Sequence, residues 1–315
     1  MKKRIFSLFL LLSLLVTTLS GCSGFADYYP YGENTTEGLE TTVGSGSQES
    51  SFAVHFIDVG QADAALILCS GKTMLIDGGN KGDSDLIYSY LQKLNITHLD
   101  YVVCTHAHED HVGGLAGALT AATVGTVYAP VKSYDSNAFR DFVAKTEERG
   151  REITIPKAGD VFYLGDSVVT ILGPLKNYDE TNNTSIVLRV VYGATSFLFT
   201  GDMESDAEID LLESGVMLNS TVLKVGHHGS STSTSYRFLR EVSPQYAVIS
   251  VGKNNQYDHP NEDVLSRLRD AETVLYRTDM QGDVICISNG SRVSFLVDIN
   301  ANVQTNPTAY KTERK

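Results

Sequence analysis

The 315-residue chain has no tryptophan, four cysteines, seven prolines and five methionines. So few cysteines exclude a disulfide-stapled scaffold at this length. Positive charge is also scarce: 25 Lys and Arg against 38 Asp and Glu leave a net charge of −13. That balance opposes a polyanionic partner unless bound cations or a local basic patch offset it. Tyrosine is plentiful at 16, yet no aromatic stripe interleaved with Lys or Arg marks a nucleic-acid track. No G-x-S-x-G nucleophile elbow occurs, and no apolar run reaches the roughly twenty residues of a spanning helix. The remaining composition, 42% hydrophobic and 20% charged, is globular and excludes a wholly disordered chain.

What is present begins with an address. Lys2, Lys3 and Arg4 precede an apolar run from Ile5 to Leu19, the pattern of a signal-peptide h-region. The run ends in Leu19-Ser20-Gly21-Cys22, which resembles the bacterial lipobox and implies a lipidated Cys22 at residues 1–22. The mature chain is then expected to be extracytoplasmic and anchored to the cell membrane. Residues 23–51 hold five Ser, five Gly, four Thr and four Glu with no Lys or Arg. They cannot bury enough apolar surface to offset ordering entropy, and they read as a flexible tether. A disordered tail is expected at 300–315, leaving one folded domain at 52–299.

Within that domain the patterning predicts strands at 52–59, 64–68 and 73–76, a helix at 83–94 and a strand at 99–104. A helix at 112–121, a strand at 123–128 and a helix at 137–149 follow. Strands in series (161–164, 167–172, 184–192, 195–200) come next. Helices at 204–212, 234–242 and 261–270 then alternate with strands at 221–225, 246–251 and 273–276, before closing strands at 283–288 and 292–298. Two mixed sheets covered outside by helices is the layered solution this order favours.

The most informative segment is Thr105-His106-Ala107-His108-Glu109-Asp110-His111, directly after a predicted strand. Three imidazoles and neighbouring carboxylates suit zinc and similar borderline divalent ions. His106 and His108, alternating in extended backbone, point the same way, and the following turn can carry Asp110 and His111 to a second point nearby. Two ions about 3.5–4 Å apart would activate water and neutralise a leaving oxygen. Gly113 and Gly114 are expected to let the backbone turn tightly into the next helix.

This H-x-H-x-D-H pattern resembles the metallo-β-lactamase fold superfamily. Phe199-Thr200-Gly201-Asp202 and Lys224-Val225-Gly226-His227-His228-Gly229-Ser230 resemble its later motifs. Asp58-Val59-Gly60-Gln61-Ala62-Asp63, Asn182-Asn183 with Ser185-Ile186-Val187-Leu188, and Ser250-Val251-Gly252 with Tyr257-Asp258-His259-Pro260 are similar to the hydrolase-like domain of ComEC-type DNA-uptake proteins. Ala62 departs from the glycine usual there, which bears on local turn geometry.

The resemblance implies an α/β fold, a four-layer αβ/βα sandwich with two central mixed sheets. It implies two divalent ions, zinc or manganese. One would take His106 and His108, the other Asp110, His111 and His227, with Asp202 bridging. No histidine lies between His111 and His227, where many members supply a third ligand to the first ion. Asn182, Asn183 or water would stand there, so the first site is expected to hold metal less tightly. His228 either replaces His227 as ligand or faces the substrate as a proton donor. His259 is a candidate contact for a substrate oxygen or a turn-stabilising residue. Lys224 either meets a phosphate or forms a salt bridge near Asp202. Asn183 and Ser230 are candidate substrate contacts, and Asp77 resembles the aspartate that orients metal ligands. Asp58 and Asp63 are expected to organise a strand turn. His55 and His98 read as packing or surface residues, and Cys69, Cys104 and Cys286 as small buried hydrophobes.

Function then reads as metal-dependent hydrolysis of a phosphoester, with the ComEC likeness favouring DNA. The acidity of the chain keeps two rivals open. One is a cell-envelope phosphoester of the phosphorylcholine type, and the other a low-turnover surface binding or DNA-uptake accessory. β-Lactam hydrolysis is disfavoured by the absent third histidine. No protein partner is expected.

Overall fold

The computed structural model describes residues 52–300. The expectations for the signal sequence, the lipidated Cys22, the tether and the residues after 300 lie outside them. The first half runs through β1 (Phe52–Phe56), β2 (Ala65–Cys69), β3 (Lys72–Ile76), α1 (Ser84–Lys93) and β4 (His98–Val103). It continues with α2 (Glu109–Val112), α3 (Leu115–Ala121), β5 (Thr123–Tyr128), α4 (Asn137–Glu148) and β6 (Ile153–Thr154). The second half holds β7 (Val161–Leu164), β8 (Ser167–Gly173), β9 (Val187–Tyr192), β10 (Thr195–Phe199), α5 (Ser205–Ser214) and β11 (Val222–Lys224). After these come α6 (Tyr236–Val242), β12 (Tyr246–Ile249), α7 (Glu262–Asp270), β13 (Val274–Arg277), α8 (Thr278–Gln281), β14 (Val284–Ser288) and β15 (Val293–Val297).

Alternation along β1 sets the layering. Phe52, Val54 and Phe56 enter the core between the sheets, while Ile57 joins the core under the first helices. His55 turns towards α1, where its Nδ1 lies 2.9 Å from the Tyr90 hydroxyl. One sheet has the order β15-β14-β1-β2-β3-β4-β5-β6, the other β13-β12-β11-β10-β9-β8-β7. Phe52 meets Phe197 (ring centroids 4.8 Å apart) and Phe56 meets Phe199 (6.0 Å) across the gap. A further core lies between the second sheet and α5, α6 and α7. The result is the expected four-layer sandwich of two mixed sheets.

Two local expectations are corrected. The helix predicted at 112–121 begins only at Leu115, and Val112 instead ends the short α2, with a break at Gly113-Gly114 between them. Both glycines have ordinary right-handed angles, φ −59° and −82°, so conformational freedom is not their use. Close approach is: a Cβ on Gly113 would lie 2.2 Å from Lys81 N, and one on Gly114 would lie 1.9 Å from Gly78 O. The strand predicted from 184 starts at Val187, because Asn182–Thr184 forms a 3-10 turn.

In each sheet four consecutive neighbours run parallel: β3 to β6, and β10 to β13. Asp77 follows β3, the histidine segment follows β4, Asp202 follows β10, His227-His228 follow β11, and the 252–260 loop follows β12. These five segments therefore leave the carboxyl ends of parallel strands, where open α/β sheets place their ligands.

Candidate metal centre

Asp77 organises the first loop. Its Oδ1 accepts the Thr105 N–H (2.7 Å), and its Oδ2 accepts the Thr105 hydroxyl (2.7 Å) and faces His111 Nδ1 at 2.8 Å. Since a buried carboxylate accepts, the His111 proton sits on Nδ1 and Nε2 points elsewhere. Thr105, having donated to Asp77, accepts from His106 Nδ1 at 3.2 Å, which leaves His106 Nε2 free. That atom lies 3.1 Å from His108 Nδ1. Asp77 thus fixes the orientation of the His111 ring and, through Thr105, of His106.

The second half of the centre comes from the other sheet. His111 Nε2 lies 3.2 Å from Asp202 Oδ1, and His228 Nε2 lies 3.3 Å from Asp110 Oδ2 and 3.5 Å from Asp202 Oδ2. Donor atoms of Asp110, His111, Asp202 and His228 all fall within 4.8 Å of one another. Asp202 Oδ2 also faces His106 Nε2 at 4.0 Å and His227 Nε2 at 3.6 Å. One carboxylate therefore touches both halves, as a bridging ligand must.

These residues fit metal ions on a local test. His111 Nε2, His228 Nε2 and Asp202 Oδ1 are buried and have no hydrogen-bond partner among the described residues. Buried polar atoms left unpaired are costly, and one divalent cation among them satisfies all three. Charge agrees. Burial pulls the His111 imidazole down, but Asp202, Asp77 and Asp110 outweigh it and hold it well above the ordinary histidine range. His228 follows the same pattern under Asp202 and Asp63 and is pushed up to about 10. Carboxylates that favour two imidazolium charges favour a divalent cation in their place.

Of the two alternatives open for the tandem histidines, the geometry favours His228 as the residue beside the other candidate ligands. His228, not His227, is buried and joins Asp110, His111 and Asp202, while His227 stands at the rim. His228 Nδ1 donates to Ser250 O at 3.0 Å, so Nε2 is its ligand atom. Both histidines adopt left-handed backbone (φ 50° and 51°), a strain of about 1–3 kcal/mol each that this reversal of side-chain direction requires.

Three expected substrate contacts are corrected. Lys224 is 4% exposed and its ammonium is held by Asp63 Oδ2 at 2.8 Å and the Val225 carbonyl, so it is not aimed at a phosphate. Ser230 is buried and bonds Thr232 Oγ1 at 2.9 Å. Asn183 Oδ1 accepts the Glu204 N–H at 2.9 Å, and Asn182 Nδ2 donates to Glu204 Oε1 at 3.2 Å. The Asn183 oxygen is thus engaged by the backbone, and the side chains sharing Asp202 Oδ2 with His106 are His227 and His228.

Sequence reasoning missed Asp63 and Glu204. Asp63, read as a turn former, lies under His228 with Oδ1 3.2 Å from its Nδ1. Glu204 Oε1 lies 3.3 Å from His227 Nδ1 and accepts from Thr232. Its place two residues after Asp202 was the one available signal. His259 does reach the site: Gln61 Oε1 accepts the Gly252 N–H (3.0 Å), which turns the Gln61 amide nitrogen towards His259 Nδ1 (3.5 Å). The His259 proton then rests on Nε2. Burial, then His227, push His259 down to about 4, so the ring is neutral near pH 7. Cys69, Cys104 and Cys286 are buried free thiols.

Residues 57–253 match the family described as the metallo-beta-lactamase superfamily. The chain belongs to that superfamily. Among curated members, ComE operon protein 3 of Bacillus subtilis is 30% identical over 250 residues, 73% of this chain and 32% of its own length. Competence protein ComA of Neisseria gonorrhoeae is 34% identical over 236 residues, 74% of this chain and 32% of its own. This metallo-β-lactamase-superfamily chain thus spans about a third of the curated relatives it matches. The fold of YhfI from Bacillus subtilis, described as a metallo-beta-lactamase fold protein, superposes with a TM-score of 0.50 at 14% identity, covering 75% of this chain and 100% of that one.

Proposed function

We propose that this chain is an extracytoplasmic, lipid-anchored, metal-dependent phosphodiesterase acting on DNA. The observation that carries the reading is Asp202, whose Oδ1 faces His111 and whose Oδ2 faces His228, His227 and His106, so that one carboxylate meets histidines from both loops. Two divalent ions bound there supply activation of water and neutralisation of phosphoryl charge. The protein's own part is orientation and proton control. Asp77 and Ser250 keep protons on the Nδ1 atoms of His111 and His228 and leave Nε2 for ligation. The neutral His259, with its proton on Nε2, is placed to give a hydrogen bond to a departing oxygen. The DNA assignment draws on the competence-protein relatives and on the protein named exodeoxyribonuclease YycJ of Bacillus anthracis, 26% identical over 184 residues, 51% of this chain and 66% of that one.

The test uses the full chain reloaded with zinc or manganese and offered a bis-aryl phosphodiester, single-stranded DNA and nitrocefin. Hydrolysis of the first two, lost in Asp110→Asn and His228→Ala, is the expected result; turnover of nitrocefin alone would overturn it. Anchoring is checked by Cys22→Ala, which should release the protein from the membrane fraction. The net charge of −13 favours a smaller cell-envelope phosphoester as the second reading, and a choline phosphodiester in the same assay decides between them.

A further inference from the structure

Seven ring contacts form an unbroken series that runs through the buried histidines of the metal centre and out to the surface at Tyr257. Tyr134 meets His108 (centroids 6.5 Å apart), His108 meets His106 (4.8 Å), His106 meets His111 (4.1 Å) and His111 meets His228 (5.3 Å). His228 then meets His227 (6.1 Å), His227 meets His259 (5.6 Å), and His259 stacks on Tyr257 at 5.6 Å with 30° between planes. The histidines serve the centre. Tyr257 does not, and it is 56% exposed.

A scattered surface tyrosine needs no explanation. This one is held. Asn255 Oδ1 accepts the N–H of both Tyr257 and His259 at 3.0 Å, and Asn255 Nδ2 donates to the carbonyls of Gly252 (2.9 Å) and His259 (2.6 Å). Gly252 abuts Gln61 so closely that a Cβ would lie 2.5 Å from the Gln61 nitrogen, and Pro260 abuts Gly229 of the tandem-histidine loop. An aromatic face is thus exposed, braced from behind by an imidazole and tied to the catalytic loops on both sides. Preorganisation of this kind lowers the entropic cost of binding a flat partner.

Resting on the phosphodiesterase reading, we infer that the Tyr257–His259 stack is a platform for a nucleobase adjoining the scissile phosphate, which makes an unpaired strand the substrate of this centre. A base inside a duplex already has both faces covered, whereas a splayed base offers one to an aromatic side chain. The acidity of the chain fits. With a net charge of −13, little affinity can come from phosphate contacts, and stacking is the sequence-tolerant source that remains.

The experiment measures binding of single-stranded oligonucleotides carrying 2-aminopurine or an abasic site at each position near the 5′ or 3′ end, using full-length Asp110→Asn so that nothing is cleaved. With Tyr257 intact, one 2-aminopurine position should be strongly quenched on binding. Adding Tyr257→Ala should abolish the quenching and weaken binding about tenfold to a hundredfold; Tyr257→Phe should retain both. An abasic site at that position should make binding insensitive to Tyr257→Ala. Equal affinity with and without the ring, or penalties for base and ring that simply add, would overturn the platform while leaving DNA cleavage intact. Weakened binding of a choline phosphodiester with unchanged oligonucleotide binding would also overturn it, assigning the ring to a quaternary ammonium. If the metal-loaded wild type hydrolyses the bis-aryl diester yet neither binds nor cleaves DNA, the nuclease reading falls and takes the platform with it.

Discussion

Asp63 Oδ2 lies 2.8 Å from the Lys224 ammonium, with both side chains buried beneath His228. One comes from the first sheet's β1–β2 connection and the other from the end of β11. The pair links the two sheets under the candidate metal centre, each charge answered by the other.

Removing one partner leaves the other charge buried and alone. Asp63→Ala or Lys224→Ala is expected to cost about 3–5 kcal/mol, well above a surface pair. Chemical denaturation of each single variant and of the double variant measures this. Strong non-additivity is expected, because the double variant leaves no unpaired charge. A cost below about 1 kcal/mol for both singles would show the pair to be idle.

Gly114 is where the loop after β3 and the helix carrying His111 touch. Gly114→Ala places a methyl 1.9 Å from Gly78 O and should cost about 3 kcal/mol or more while lowering metal affinity. Gly82→Ala meets nothing within 4 Å and is the control, expected within about 0.5 kcal/mol of wild type. Thermal melts with and without metal read both effects.

The two halves of the centre differ in their donor sets. Donor atoms of Asp110, His111, Asp202 and His228 lie within 4.8 Å of one another, whereas His106 Nε2 stands 4.0 Å from the Asp202 carboxylate. Chelator titration of the metal-loaded protein should therefore remove the ions in two steps, with the His106–His108 ion leaving first. His227→Ala should shift the first step alone, and loss of both ions at one chelator concentration would contradict the asymmetry.

His55 is buried against Tyr90, and burial pushes its imidazole from 6.5 down to about 4. The unfolded chain therefore binds a proton between these values that the folded chain refuses. Stability contributed by the neutral ring is complete above about pH 6.5 and falls as pH drops towards 4, by about 3 kcal/mol in all. His55→Gln should flatten the pH dependence of urea unfolding over that window. An unchanged slope would show that His55 titrates normally.

Much of the architecture was legible because it rests on local rules. Alternation in β1, helical spacing in α1 and the glycine turns between strands were visible in the residues themselves. The break at Gly113-Gly114 was not, because its cause is the backbone of Gly78 and Lys81 some thirty positions away. His55, read as a packing or surface residue, packs against Tyr90 of α1, on the face that alternation along β1 gives it.

The same division runs through the metal centre. By itself the sequence determined that His106, His108, Asp110 and His111 share one short segment, and that Asp202 and a histidine pair end later strands, since ligand type and spacing are written along the chain. Which of His227 and His228 turns inward, and that Lys224 answers Asp63 rather than a phosphate, was decided only by the tertiary structure. Those outcomes depend on two left-handed residues and on an ion pair between two sheets, and the free energies involved exist only when the sheets are packed together.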